Sequence, residues 1–280
     1  MDKKDKKCAP DKQFSDGSCI PLRLLVEMGK AYNNEFADEI PIKISSLAET
    51  IYPSKYKSYL VKEFSERIED CKSQRCWLKQ KFMKRIREDA DKKELNKYVF
   101  RYNGPDGKFE WLKTHNIDNV MDQYHKKYKD FKFLGTVPMD FADLPQLGFT
   151  TLNFKKLQSE GINKIGAVMN LDKHYDPGSH WVGMYSDLEK GEIYFFDSYG
   201  IRPPFEVRKF MRKIARYVKS TGKTPIVDFN RLQHQKKGSE CGVYSINFIL
   251  RMLEGTTFEI INTKRVSDDE VNKCRNTYFA

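Results

Sequence analysis

His180-Trp-Val-Gly-Met-Tyr-Ser-Asp-Leu-Glu-Lys-Gly-Glu-Ile-Tyr-Phe-Phe-Asp197 holds two short apolar runs on either side of a turn. The runs have strand length and are rich in aromatic residues, while Asp187-Leu-Glu-Lys190 and Gly191 are residues that turns favour. The stretch reads as an antiparallel hairpin centred between Leu188 and Glu189, which sets His180 opposite Asp197. Opposed residues share one sheet face, with Cβ atoms about 4.5–5.5 Å apart. A slip of one residue would send them to opposite faces. At that range a carboxylate fixes one imidazole tautomer and stabilises the protonated ring. The plainer reading is a solvated histidine and a turn aspartate.

Downstream lies Gln235-Lys-Lys-Gly-Ser-Glu-Cys241-Gly-Val-Tyr, which opens a helix apolar almost all round (Val243, Tyr244, Ile246, Phe248, Ile249, Leu250, Leu253). Such a helix is buried, yet its amino end opens into polar, glycine-containing sequence. There the positive end of the helix dipole favours a thiolate at Cys241. Gly242 leaves the backbone open, the Cys241 N–H can donate to an oxyanion, and Gln235 offers a second, neutral donor. A buried structural thiol is the usual fate of a cysteine. The pairing of His180 with Asp197 and the glutamine six residues upstream favour a nucleophile instead.

Further out, short apolar runs at 164–170 and 224–230 add strands, and residues 205–219 form an amphipathic helix with Val207, Phe210, Met211, Ile214 and Val218 on one face. Residues before about 130 read as helical, with stretches at 59–71 and 77–90. Pro21 stands at a helix start. Asn103-Gly-Pro-Asp-Gly107 forms a turn, and Ile117, Val120, Met121 and Tyr124 follow at helical spacing with Thr114 as N-cap. The expectation is an α+β fold with a mixed sheet and a buried catalytic helix over 130–280, preceded by a helical arm over 1–129.

Of the 280 residues, 39% are apolar and 13% aromatic, enough for a real core. No run approaches the ~18 consecutive apolar residues that a membrane-spanning helix needs. Residues 1–8 have no apolar run behind them, so no export signal is read there. The six cysteines (8, 19, 71, 76, 241 and 274) are therefore expected as reduced thiols. The net charge of +11 is spread evenly, with an excess of +6 over 1–130 and +5 over 131–280. A diffuse positive field permits DNA contact but is more simply solubility.

His180-Trp181, Asp197 seventeen residues on, and Gln235 six residues before Cys241-Gly242 resemble the ubiquitin-like-protein protease and adenain superfamily. The stretches 131–141, 240–248 and 275–279 resemble its viral branch, which includes the polyprotein protease of African swine fever virus and relatives in other large DNA viruses. The resemblance covers about 130–280. It implies a papain-like (adenain-like) fold, with Cys241 as nucleophile, His180 as base, Asp197 as its orienter and Gln235 as oxyanion donor. It further implies Trp181 beside a narrow substrate channel. Some viral members carry Asn where this chain has Asp197, which leaves the role intact.

Rival readings are weaker. Gln13-Phe-Ser-Asp-Gly-Ser-Cys19 also sets a glutamine six residues before a cysteine, but Ile20-Pro21 follows it. Cys71 and Cys76, with Cys8 and Cys19, are only loosely compatible with zinc. His115, His125, His174 and His234 read as surface residues, with His234 a minor candidate for the cleft. The expected function is a cysteine endopeptidase cutting viral polyproteins or capsid precursors after small residues such as Gly-Gly, with no cofactor and no metal. It would act at viral assembly sites in the host cytoplasm and in the virion. The arm would serve substrate or particle binding. The alternatives are an isopeptidase removing a ubiquitin-like modifier, and a non-enzymatic basic DNA-binding virion scaffold.

Overall fold

The chain divides into two units in the computed structural model, which describes residues 3–107 and 109–280. Residues 1 and 2 of the stretch read as lacking an export signal lie outside the described residues. The first unit spans Met1–Asn103 and takes in Phe279–Ala280; the second spans Gly104–Tyr278.

The first unit is helical: α1 (Leu22–Glu35), α2 (Ser46–Ile51), α3 (Pro53–Arg67), α4 (Gln74–Trp77) and α5 (Asp89–Lys97). Pro21 precedes the first turn of α1, and the Ser45 hydroxyl caps α2 by accepting the Ala48 N–H. Leu24, Leu25, Met28, Leu60, Phe64 and Phe82 are buried together, with Phe64 stacked on Phe82 at 5.9 Å. Here the expectation of reduced thiols is overturned. Cys8 is bonded to Cys19 and Cys71 to Cys76, with Cα atoms 5.3 and 5.4 Å apart. Folding brings each pair within bonding reach, a proximity that an argument from export signals does not contain. Neither pair leaves a thiolate for zinc.

In the second unit come α6 (Thr114–Lys127), β1 (Phe131–Val137), α7 (Phe154–Ser159), β2 (Lys164–Asn170), β3 (Trp181–Asp187), β4 (Glu192–Phe196), α8 (Phe205–Ser220), β5 (Ile226–Phe229), α9 (Cys241–Leu253), α10 (Phe258–Thr263), α11 (Asp268–Lys273) and α12 (Arg275–Tyr278). The sheet order is β1-β2-β3-β4-β5, parallel at both outer pairs and antiparallel within. This is the mixed α+β sheet expected.

Helices cover both faces. Val207, Phe210, Met211 and Ile214 of α8 share a core with Ala167, Val182, Met184 and Phe195. On the other face α9 lies so close that a Cβ on Gly183 would sit 2.9 Å from Phe248. Every residue of β3 is therefore buried, which explains its nearly continuous apolar sequence.

The division between units falls at Asn103/Gly104, not at the expected 129/130. Ile117, Val120, Met121 and Tyr124 are buried on α6, and Asp118 Oδ1 accepts the Thr136 N–H of β1 at 2.9 Å. The turn read at 103–107 is the true break. Thr114 is the first helical residue of α6 instead of its cap; the preceding Lys113 N–H donates to Asn116 Oδ1 at 2.9 Å.

Candidate active site

The β3–β4 hairpin pairs Gly183 with Phe196 and Asp187 with Glu192, so its centre lies between Glu189 and Lys190. The expected register was off by two residues. Asp187 Oδ1 accepts the N–H groups of Glu189 and Lys190 at 3.0 and 2.9 Å, and Gly191 takes a left-handed φ of 77°. These contacts close a four-residue turn one position later than the sequence suggested. A shift of two preserves the face, because side chains alternate with period two. His180 and Asp197 flank the ladder diagonally, and His180 Nε2 meets Asp197 Oδ1 at 2.7 Å.

Asp197 is held from three sides. Its Oδ1 also accepts the Tyr199 N–H at 2.9 Å. Its own N–H donates to Asn230 Oδ1 at 2.8 Å, and Asn230 Nδ2 donates back to the Asp197 carbonyl at 2.7 Å. The Tyr199 ring stacks on the His180 ring at 4.9 Å.

Burial works against a charged imidazole here, but the hydrogen bond to Asp197 and then the neighbouring Cys241 side chain outweigh it and lift the His180 pKa to about 9. Cys241 is the first residue of α9 and is buried.

Gln235 is buried too. Its Oε1 accepts the Ser198 hydroxyl at 2.7 Å, its Nε2 donates to the Lys237 carbonyl at 2.7 Å, and its N–H donates to the Ser198 carbonyl at 2.9 Å. The amide is thus fixed, and its second Nε2 hydrogen is the one that could face an oxyanion.

Trp181 Nε1 donates to the Leu112 carbonyl at 2.9 Å. A Cβ on Gly242 would meet Leu112 Cβ at 3.0 Å and the Trp181 indole at 3.3 Å. A side chain after Cys241 would therefore be tight, and Leu112 or Trp181 would have to give by a few tenths of an ångström. A cavity of about 470 Å³, lined among others by Trp111, Asn170, Lys173 and His174, adjoins Trp181.

All five residues singled out by sequence lie in this one unit; a hydrogen bond joins His180 to Asp197, and the Cys241 side chain acts on the His180 ring. Ser198, Tyr199, Asn230 and Leu112 were missed. Their roles depend on backbone groups and on a segment 69 residues from Trp181, so no local motif marks them. His234 is neither on the surface nor in the cleft: it is 1% exposed, its Nε2 donates to the Ile261 carbonyl at 3.0 Å, and its Nδ1 accepts the Val266 N–H at 3.1 Å. It ties α10 to the segment before α11, and burial lowers its pKa. Cys19 lies in a disulfide and cannot be a nucleophile. Among the described residues no group of three or more His, Cys, Asp or Glu is arranged to hold a metal, and no helix is long and apolar enough to cross a membrane.

A thiol, an imidazole held by a carboxylate, and oriented N–H donors are the parts needed for acyl transfer through a thioester. The family model for the Ulp1 protease family, C-terminal catalytic domain, matches residues 148–279. A protein of Acanthamoeba polyphaga mimivirus named as a thiol protease is 37% identical over 281 residues, covering 97% of this chain and 92% of that relative. A cysteine protease of African swine fever virus is 28% identical over 199 residues, 64% of this chain and 71% of its own length. The crystal structure of a protease from African swine fever virus shares the fold, with a TM-score of 0.68 at 22% identity over 98% of this chain and 95% of that one. The chain belongs to the Ulp1 protease family and is a cysteine protease.

Proposed function

We propose that Cys241 is the nucleophile, His180 its acid–base partner, Asp197 the orienter of His180, and Gln235 with the Cys241 N–H the oxyanion donors. The observation that carries this is the 2.7 Å His180–Asp197 hydrogen bond, with the Cys241 side chain close enough to raise the His180 pKa. The Cys241 sulfur, its proton held on His180, attacks the scissile carbonyl carbon. The C–S bond forms as the carbonyl oxygen becomes an oxyanion. Collapse breaks the C–N bond, and His180 gives its proton to the leaving amine. Water then attacks the thioester and passes a proton to His180, and the C–S bond breaks to free the acid and restore the sulfur.

The substrates are viral polyproteins or capsid precursors cut after small residues such as Gly-Gly, at assembly sites in the host cytoplasm and in the virion. The resemblance to proteases with a Trp beside a narrow channel supports the preference, with Trp181 held against Leu112 next to the buried Gly242. The first unit serves substrate or particle binding. Ile40, Leu47, Ile51 and Tyr52 there are exposed large apolar side chains, the kind of surface that protein contacts use. A second reading, removal of a ubiquitin-like modifier, draws on the African swine fever virus relatives named SUMO-1 cysteine proteases. DNA contact is proposed for the basic face of α8.

The purified enzyme offered a structural precursor containing Gly-Gly and, separately, a modifier conjugate separates the two readings. Faster precursor cleavage, lost when either glycine becomes alanine, is expected. Faster release of the modifier would overturn the first reading.

A further inference from the structure

The loop 236–240 joins Gln235 to Cys241, the two oxyanion donors of the proposed mechanism, and helices α11 and α12 hold both of its ends. At the first end, the buried Asp268 carboxylate accepts the Lys236 N–H at 3.2 and 3.1 Å and the Tyr244 hydroxyl at 3.2 Å. At the second end, Glu240 is 1% exposed, a carboxylate buried next to the reacting thiol.

Glu240 stands at the N-cap of α9, where a side chain ordinarily turns in to accept the first helical N–H groups. It does not do so. Its carboxylate turns back instead, accepting the Ser239 N–H at 2.9 Å, the Ser239 hydroxyl at 3.1 Å and Asn272 Nδ2 at 3.0 Å. Asn272 Oδ1 in turn accepts Arg275 Nε at 3.0 Å, and Arg275 Nη2 donates to the Ser239 carbonyl at 3.3 Å. The guanidinium supplies the opposite charge that a buried carboxylate needs.

We propose that Asn272 and Arg275 are positioning residues that draw the Glu240 carboxylate away from the amino end of α9, so that the Cys241 N–H stays open to an oxyanion. The inference rests on the reading of Cys241 as nucleophile. A released Glu240 would swing towards the helix end, accept the Gly242 or Val243 N–H as a cap, and set a negative charge beside the Cys241 N–H where the oxyanion must form.

The test uses the full chain and three measurements. Iodoacetamide alkylation of Cys241 reports the thiol and His180 alone, because attack on a saturated carbon forms no oxyanion. Turnover of a peptide containing Gly-Gly, and inhibition by a peptide aldehyde ending in Gly-Gly, both require the oxyanion donors.

In Asn272→Ala, kcat should fall about 10-fold with KM little changed, a fraction of the roughly 10²–10³ lost when a whole oxyanion donor is removed. Aldehyde inhibition should weaken by the same factor, while alkylation keeps its rate. Adding Glu240→Gln to Asn272→Ala removes the competing charge and should restore most of the turnover. A merely structural role would lower alkylation and turnover together and give no rescue, and unchanged turnover in Asn272→Ala would overturn the proposal as directly. Wild-type enzyme that iodoacetamide does not label at Cys241 would instead sink the underlying reading, whatever the variants do.

Discussion

At His180 two opposing influences meet, and their balance sets how the site responds to pH. Burial disfavours the charged ring, but Asp197 and the Cys241 side chain favour it, and the pKa stands at about 9 against an ordinary 6.5. A raised histidine pKa stabilises the fold wherever the ring is protonated. That contribution is complete below about 6.5 and is lost as the pH rises through about 9. In the proposed mechanism His180 must also be protonated to release the amine, so kcat/KM should fall on the alkaline side with an apparent pKa near 9. Asp197→Ala removes a raising partner and leaves the burial, so this limb should move to lower pH, with kcat down on the order of 10²–10⁴. An alkaline limb in the same place for both enzymes would contradict the assignment. The pairing itself was legible in the sequence, because parity along two strands is enough to put His180 and Asp197 on one face. Tyr199 and Asn230, which hold that pair by stacking and by backbone hydrogen bonds, were not legible: nothing in their types announces a partner.

Among the elements, α8 shows what composition conceals. Counting charge by halves of the chain gave an even excess, yet this one helix carries Arg208, Lys209, Arg212, Lys213, Arg216 and Lys219 against a single Glu206. Its apolar face is buried, and Lys209, Arg212, Arg216 and Lys219 all lie exposed. Their spacing of three, four and three residues draws one stripe, about 15 Å long at a rise of 1.5 Å per residue. Such a stripe can follow several phosphates of a DNA backbone. Duplex DNA should therefore bind at low salt, with log affinity falling against log salt with a slope of about −3 to −4 if all four cations neutralise a phosphate. Changing the four to glutamine should flatten that slope and weaken binding, measured by fluorescence anisotropy across a salt series. Unchanged affinity in the fourfold variant would dismiss DNA as the partner of α8. The β3–β4 hairpin teaches the complementary point. Its face was readable from alternation, but its register was decided by Asp187 bonding two turn N–H groups, a choice between neighbouring turns that apolar pattern alone does not make.

For the whole molecule, the protease core was readable because its motifs are local and their order along the chain is distinctive. The division between units was misplaced because α6 has the amphipathic pattern of an arm helix and sequence does not say which core its apolar face enters. The disulfides were missed for a different reason: the expectation of reduced thiols rested on reading no export signal and not on which cysteines lie within bonding reach. Of the six cysteines in the chain, the one proposed as nucleophile, Cys241, lies on the first turn of α9. The most direct measurement is mass spectrometry of new N-termini formed when a candidate viral structural precursor meets the wild-type chain or Cys241→Ala. Cuts after Gly-Gly are expected with the wild-type chain and none with Cys241→Ala. Equal cleavage by both chains would contradict Cys241 as the nucleophile.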